Sequence, residues 1–271
     1  MVCNAEVFQT FINGSIVFKK CNFGFAFKLN SMSKKEIGYY RSNWDAYYES
    51  IGSKTESIPW DVSPDLASVK DFERMKGFFN LDLPVVDIGC GVGTQTVFLN
   101  REFNRVMGTD VSDGAVKIAR KKFKDSGVEF RQLDVLNLDQ VIDLHGELGD
   151  CNVYMRGTLQ QILHGDRKAF SASMDILLGS EGRLYFVELS TEAQSFFLDL
   201  HRKLGGLPPE LKRVLAEKVT KMVGVGLEEV DRIFDKTKFK INGKGKTTIA
   251  LKVNKEECVY VPAVYGLISK A

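Results

Sequence analysis

The sequence predicts an α/β fold built on a doubly wound sheet, and three observations carry that prediction. Residues 83–88 form a short apolar run, interrupted only by Pro84 at its entrance and Asp87 near its tip, and a glycine-rich turn with Gly89, Gly91 and Gly93 follows at once. Strand-length apolar runs then alternate with helical patterns as far as residue 189, the arrangement that packs helices on both faces of a sheet. Acids stand at the ends of three successive strands, as Asp87, Asp110 and Asp134. In such sheets the carboxyl ends of the strands line the ligand crevice.

Each element has its own warrant. The run at 83–88 suits a central strand buried on both faces. The turn glycines carry no Cβ, so the chain can turn tightly and a ligand can approach the backbone. A helix over 94–101 points free N–H groups and a positive dipole end at that ligand. Residues 105–110 read as a second strand ending in Asp110, and 112–125 as a helix with a basic outer face and Ser112 available as its cap. Residues 128–133 are a third strand, followed by Asp134-Val135. Residues 151–155 are a fourth, running into Arg156-Gly157-Thr158-Leu159-Gln160-Gln161-Ile162-Leu163-His164. A helix over 167–178 and a strand over 182–189 complete the alternation. Residues 191–237 read as a three-helix insertion, punctuated by Gly205-Gly206, Pro208-Pro209, Gly224 and Gly226, that sits over the crevice as a substrate cap. Within it Phe196, Phe197, Leu200 and His201 are pocket candidates. Strand material returns at 239–243, 247–253 and 259–269.

Upstream of the turn the sequence divides into an N-terminal extension, 1–31, and a domain, 32–271. The extension carries Phe8, Phe11, Phe18, Phe23, Phe25 and Phe27, a hairpin signal at Asn13-Gly14, and no assignable chemistry. Met32 is a possible alternative start. Ser33-Lys34-Lys35-Glu36 is a capping box, and Gly52 a plausible stop for the helix it opens. Tyr40, Trp44, Tyr47 and Tyr48 share one face of that helix. They either fasten it to the domain or form an aromatic lid, whose faces would attract a cationic ligand. Residues 64–80 read as an amphipathic helix.

Bulk properties exclude several classes. With 44% hydrophobic and 27% charged residues the chain is of ordinary globular composition, and its net charge of +2 calls for no nucleic-acid or anionic-membrane partner. No apolar run approaches the roughly 18 residues of a membrane span. The five cysteines, Cys3, Cys21, Cys90, Cys151 and Cys258, have neither metal-site nor redox spacing, which suits reduced thiols in the cytoplasm and no metal.

The spacing Asp87-x-Gly89-x-Gly91-x-Gly93 differs from the dinucleotide pattern G-x-G-x-x-G, which would need glycine at Thr94, and so argues against a nicotinamide-dependent oxidoreductase. It resembles motif I of class I S-adenosylmethionine-dependent methyltransferases. Trp44-Asp45 with Pro59-Trp60-Asp61 resembles the N-terminal region of thiopurine S-methyltransferase-like and related small-molecule enzymes, and Val261-Pro262-Ala263-Val264-Tyr265 their final strand. The resemblance implies a seven-stranded sheet of order 3-2-1-4-5-7-6 with the last strand antiparallel and an N-terminal lid helix. It implies S-adenosylmethionine as cofactor and a small-molecule methyl acceptor. It assigns the cofactor to Asp87, Gly89, Cys90, Gly91, Gly93, Thr94, Asp110, Val111, Asp134, Val135, Arg156, Trp44 and Trp60, with Asp110 on the ribose and Asp134-Val135 on adenine.

The acceptor side is less determined. Tyr40, Tyr47, Gln160, Phe197 and His201 are substrate candidates, and His164, Gln161 and Arg156 weak catalytic ones. Many small-molecule relatives carry histidines where Gln160 and Gln161 stand, and glutamine cannot accept a proton at neutral pH. A non-catalytic cofactor-binding module on the same fold is the alternative. Nucleic-acid amino-methyltransferases carry an Asn/Asp-Pro-Pro-aromatic motif at the fourth strand tip, and Arg156-Gly157-Thr158-Leu159 departs from it.

Overall fold

The computed structural model describes residues 9–12, 15–18, 38–52, 54–216 and 224–271. The chain divides into two units, residues 1–39 and 40–271. In the first, strands β1 (Gln9–Ile12) and β2 (Ser15–Phe18) pair antiparallel, with Ile12 opposite Ser15. Asn13-Gly14, Phe8, Phe23, Phe25, Phe27, Met32 and the capping box at 33–36 lie outside the described residues.

The second unit holds strands β3 (Val85–Ile88), β4 (Val106–Asp110), β5 (Glu129–Gln132), β6 (Asn152–Arg156), β7 (Arg183–Leu189), β8 (Phe239–Lys252) and β9 (Cys258–Lys270). They lie in the order β5-β4-β3-β6-β7-β9-β8. The first five are parallel, and β9 runs antiparallel to both β7 and β8. Counted within the sheet, this is the expected order 3-2-1-4-5-7-6.

The sheet is central because both its faces are apolar. Val86 and Ile88 of β3 join one core cluster with Met107, Val153 and Met155, while Val85 joins a second with Val106, Tyr154 and Tyr185. Helices α5 (Leu138–Leu148) and α6 (Arg167–Leu178) pack Leu144, Phe170, Met174 and Leu177 on the first face. Helices α2 (Ser68–Met75) and α3 (Thr94–Glu102) pack Met75 and Leu99 on the second. Each such side chain, wholly buried, contributes about 1.5–3 kcal/mol. Helix α4 (Asp113–Lys122) starts where Ser112 Oγ accepts from the Ala115 N–H, so the expected cap is the cap observed.

Three differences from the sequence expectations have physical causes. The helix expected over 64–80 is a short 3-10 turn at Pro64–Leu66 followed by α2, which starts after the non-helical backbone of Ala67. The strand material at 239–243 and 247–253 is continuous, because pairing with β9 along its length supplies backbone bonds that the intervening glycines do not favour by propensity. Among its described residues the insertion forms three helices, α7 (Ala193–Leu204), α8 (Pro209–Ala216) and α9 (Leu227–Ile233), but they do not share one roof. Phe197 and Leu211 join the second core face, whereas Val230 and Ile233 of α9 pack on the first.

Candidate active site

The carboxyl ends of the central strands open into one cavity. Its wall takes residues from the glycine turn, from the ends of β4 and β5, from the segment after β6, from helix α1 (Tyr39–Ile51) and from α7, α8 and β8. At the tip of β3, buried Asp87 accepts a hydrogen bond from Thr96 Oγ1 at 2.6 Å on Oδ2. Burial pushes the carboxyl up to about 7 in spite of that bond. At the tip of β4, Asp110 Oδ2 accepts from the Gly91 N–H and Oδ1 from the Ser112 N–H, both at 2.9 Å. Burial outweighs these bonds and lifts Asp110 to about 6. Each oxygen of Asp110 still has a lone pair to offer. After β5, Asp134 Oδ1 accepts from the Leu136 N–H at 3.0 Å. No acceptor among the described residues is bonded to the Val135 N–H, although Val135 is buried in the cavity wall.

Two glycines of the turn serve different ends. Gly91 has φ +55°, and a Cβ there would fall 3.0 Å from Tyr48 Oη and 3.8 Å from Trp60 Nε1, so backbone and lid meet closely over the turn. Gly93 has φ +84°, and its Cβ would fall 2.6 Å from the Phe130 ring. It packs toward β5 and does not line the cavity, a correction to its expected place against the cofactor. Gly89, Cys90, Thr94 and Val111 do line it.

The lid is α1 together with Trp60. Tyr40, Trp44, Tyr48 and Trp60 face the cavity, with Trp44 and Trp60 edge to face at 5.7 Å between centroids. Tyr47 does not line it: it is buried edge-on against Trp44 at 5.7 Å and Tyr48 at 5.2 Å. A helical face is wide enough that its outer members meet different neighbours. Hydrogen bonds tie the lid to the start of α4 and to the segment after β6. Asp45 Oδ1 accepts from Ser112 Oγ at 2.7 Å and from the Gly114 N–H at 3.2 Å. Tyr40 Oη donates to Asp166 at 2.7 Å and accepts from the Leu163 N–H at 2.9 Å.

The opposite wall is apolar, made by Leu189, Phe197, Leu211, Val214, Ile249 and Leu251. His201 does not line the cavity; it lies on α7 in a half-exposed position, and Phe196 and Leu200 pack into the core beneath. His164 is also absent from the wall. Its side chain is 62% exposed, and Nδ1 sits 2.8 Å from Glu229 Oε1, which Arg167 also pairs with. Both histidines therefore stand apart from the chemistry expected of them.

The segment after β6 is fixed from below. Buried Glu188 accepts the N–H groups of Thr158 and Gln160, each at 3.0 Å, and burial pushes its carboxyl up to about 7. Gln160 Oε1 accepts from the Leu189 N–H, so that amide oxygen is taken by the backbone. Gln161 Oε1 lies in the same wall, buried and without a hydrogen-bond partner. An unpaired buried acceptor costs about 1–3 kcal/mol unless a ligand donor meets it. Arg156 is the one cation in the lining among the described residues. Its Nη1 donates to Asp71 Oδ2 at 2.6 Å, and Asp71 also accepts from Tyr154 Oη at 2.8 Å and Tyr185 Oη at 2.9 Å. Burial opposes the guanidinium charge, and Asp71 with the neighbouring Tyr154 and Tyr185 more than offsets it.

Sequence reasoning passed over Asp71, Glu188, Asp45 as a clamp, and the apolar wall from α8 and β8. For Asp71 a signal existed: it is an acid on the buried stripe Ser68, Asp71, Met75. Among the described residues no group of three or more His, Cys, Asp or Glu could hold a metal ion, and no helix is long and apolar enough to cross a membrane.

This geometry has known counterparts. A methyltransferase-domain family model matches residues 85–182. The crystal structure of an S-adenosylmethionine-dependent methyltransferase from Anabaena variabilis ATCC 29413 is 32% identical, covers 90% of this chain and 100% of its own, and superposes with a TM-score of 0.80. The chain belongs to the S-adenosylmethionine-dependent methyltransferases, and S-adenosylmethionine is accordingly its cofactor. The same fold recurs in magnesium protoporphyrin IX methyltransferase from Synechocystis PCC 6803 with bound S-adenosylhomocysteine, at 18% identity, 85% of this chain, 99% of that one and a TM-score of 0.55. A malonyl-[acyl-carrier protein] O-methyltransferase of Priestia megaterium is 25% identical over 115 residues, and the match spans only 38% of that relative's length and 41% of this chain.

The residues present fit that cofactor. Asp110 keeps free lone pairs, Val135 an open N–H, Gln161 an open acceptor and Arg156 a charged guanidinium, all facing one cavity under aromatic faces.

Proposed function

We propose that the chain transfers a methyl group to an oxygen, nitrogen or sulfur nucleophile of a small molecule, in the branch of the family that thiopurine S-methyltransferases typify. The observation that carries this is the single cavity that runs from the polar strand tips to the apolar wall of Phe197, Leu211, Val214, Ile249 and Leu251. Apolar walls with a few placed polar groups suit small ligands.

When bound, S-adenosylmethionine supplies an electrophilic methyl group on a sulfonium. The protein's residues hold and align. Asp110 would accept both ribose hydroxyls, Asp134 the adenine amine, and the Val135 N–H would donate to the ring. Asp87, Gly89, Cys90, Gly91 and Thr94 would frame the amino-acid end, and Arg156 would take its carboxylate. Trp44 and Trp60 would present ring faces to the cation. Tyr40 and Phe197 would exclude water from the reacting centre. Gln160 would keep the segment after β6 in place while Gln161 orients the acceptor by accepting its proton-bearing group. No histidine lines the cavity among the described residues, and the acceptor we propose is one that is nucleophilic near neutral pH without a base. Orientation alone is worth up to about 7–11 kcal/mol in well-placed systems.

A radiolabelled-methyl transfer assay across thiols, amines, phenols and carboxylates, with calorimetry of S-adenosylhomocysteine on the same sample, tests this. Transfer to one class together with cofactor binding is expected. Cofactor binding without transfer to any class would leave a binding module in place of an enzyme of this kind.

A further inference from the structure

A second cavity shares Arg156 with the first. It lies between α2, which contributes Lys70, Asp71 and Arg74, and the β8–β9 ladder, which contributes Thr247, Thr248 and Tyr260. Three cations and one carboxylate therefore face the same small space. The carboxylate is spoken for: Asp71 takes Arg156, Tyr154 and Tyr185 at 2.6–2.9 Å and leaves Arg74 at 3.6 Å. It balances one positive charge, and two remain.

Arg74 shares Asp71 with Arg156, its Nη1 3.6 Å from Oδ1 and 3.4 Å from Tyr185 Oη, so the one carboxylate is divided between two guanidinium groups. Arg74 is fixed by Thr247 Oγ1 at 3.0 Å and by the Tyr265 ring, 5.1 Å from its guanidinium carbon. Lys70 lies over the Tyr260 ring at 5.5 Å and has no carboxylate within ion-pairing distance among the described residues. The guanidinium of Arg74 is held as a planar donor, the lysine adds a point charge, and Thr247 and Thr248 complete the lining. Gathering like charges around a concave space is unfavourable unless an anion meets them. Arginine forks and lysine ammonium groups together suit a tetrahedral oxyanion with two charges.

We propose that this second cavity binds a phosphate dianion, held by Lys70, Arg74 and Arg156 with the hydroxyls of Thr247 and Thr248. The anion is either free phosphate or the phosphoryl end of a larger molecule. Because Arg156 lines both cavities, the anion lies next to the methyl-transfer site, yet Lys70, Arg74, Thr247 and Thr248 line only the second. The inference does not rest on the methyl-transfer assignment.

Equilibrium dialysis with radiolabelled inorganic phosphate, and calorimetry with phenyl phosphate, both at fixed ionic strength, test it on the full chain. Saturable binding of one equivalent is expected, weakened at least about tenfold by Lys70→Glu and by Thr248→Glu, two exposed positions. Thermal melts and S-adenosylhomocysteine affinity are expected to be unchanged in both variants, which separates this site from the first. Phenyl phosphate binding at least as tightly as phosphate assigns the site to a phosphorylated molecule; phosphate alone binding assigns it to the free ion. Binding of neither, or binding that both glutamate variants retain in full, would overturn the proposal.

Discussion

The two halves of the main cavity are built in opposite ways. The strand-tip half is polar, and its parts come from short stretches that follow one another along β3, β4 and β5, each a strand end with an acid or a glycine at a fixed offset. The opposite half is apolar and is assembled from the end of β7 and from α7, α8 and β8, elements that meet only through the fold. The first half must satisfy a ligand with fixed donors and acceptors, so its residues are dictated one by one. On the proposed function the second half would fill space around an acceptor, a task that more sequences can meet than the placing of fixed donors and acceptors.

Variants can break that contrast or sharpen it. Asp110→Ala is expected to have the largest effect, a loss of S-adenosylhomocysteine affinity of about 100-fold, since two hydrogen bonds to a charged group are removed. Calorimetry reads it directly, and an unchanged affinity would dissolve the distinction between the halves. Phe197→Ala should fall on the other side of it. Affinity for S-adenosylhomocysteine should stay within about twofold, while KM for the acceptor rises about tenfold as ring contact is lost.

The pH response separates the halves in another way, because only the strand-tip half carries buried acids. Burial holds Asp87 at about 7 and Asp110 at about 6 in the folded protein, above their ordinary carboxyl range. Glu188, beneath the segment after β6, is also raised to about 7. The folded protein then binds more protons than the unfolded chain between the ordinary carboxyl value and 6–7. Their contribution to stability is complete below the ordinary value and is lost as pH rises through 6–7. Thermal melts of the ligand-free protein should therefore gain stability from these groups on acidification from pH 8 toward 5. The ribose contact proposed for Asp110 would need its carboxylate ionised, so S-adenosylhomocysteine affinity should fall below about pH 6, by at most about tenfold per pH unit for one group. The smallest effect is expected from His164→Ala. With its side chain 62% exposed and paired to Glu229, its loss should leave kcat within about twofold in the transfer assay.

The same contrast explains what could be read in the chain. The places of the turn at 89–93, Asp110 and Asp134 at the strand ends were legible because the motif carries both residue type and spacing. Gly93 was misplaced for a reason of packing: a Cβ is excluded there by Phe130 of β5, and a motif cannot distinguish glycine kept for a ligand from glycine kept for a neighbour. Tyr47 and His201 were misplaced because helical periodicity gives a face and leaves open which part of it meets the cavity. Leu211, Val214, Ile249 and Leu251 carry no local mark, since only the docking of α8 and the pairing of β8 at the edge of the sheet bring them together. His164 looked available because its partner Glu229 is far along the chain, on α9. Glu188 reads as one more residue of an apolar strand until the N–H groups of Thr158 and Gln160 are seen to converge on it.

A crystal structure of the protein with S-adenosylhomocysteine tests the central claim most directly. The ribose hydroxyls are expected on the Asp110 carboxylate, with the adenine amine at Asp134 and a ring nitrogen at the Val135 N–H. A nucleoside lodged against the wall of α7, α8 and β8, with Asp110 still bonded only to Gly91 and Ser112, would contradict it.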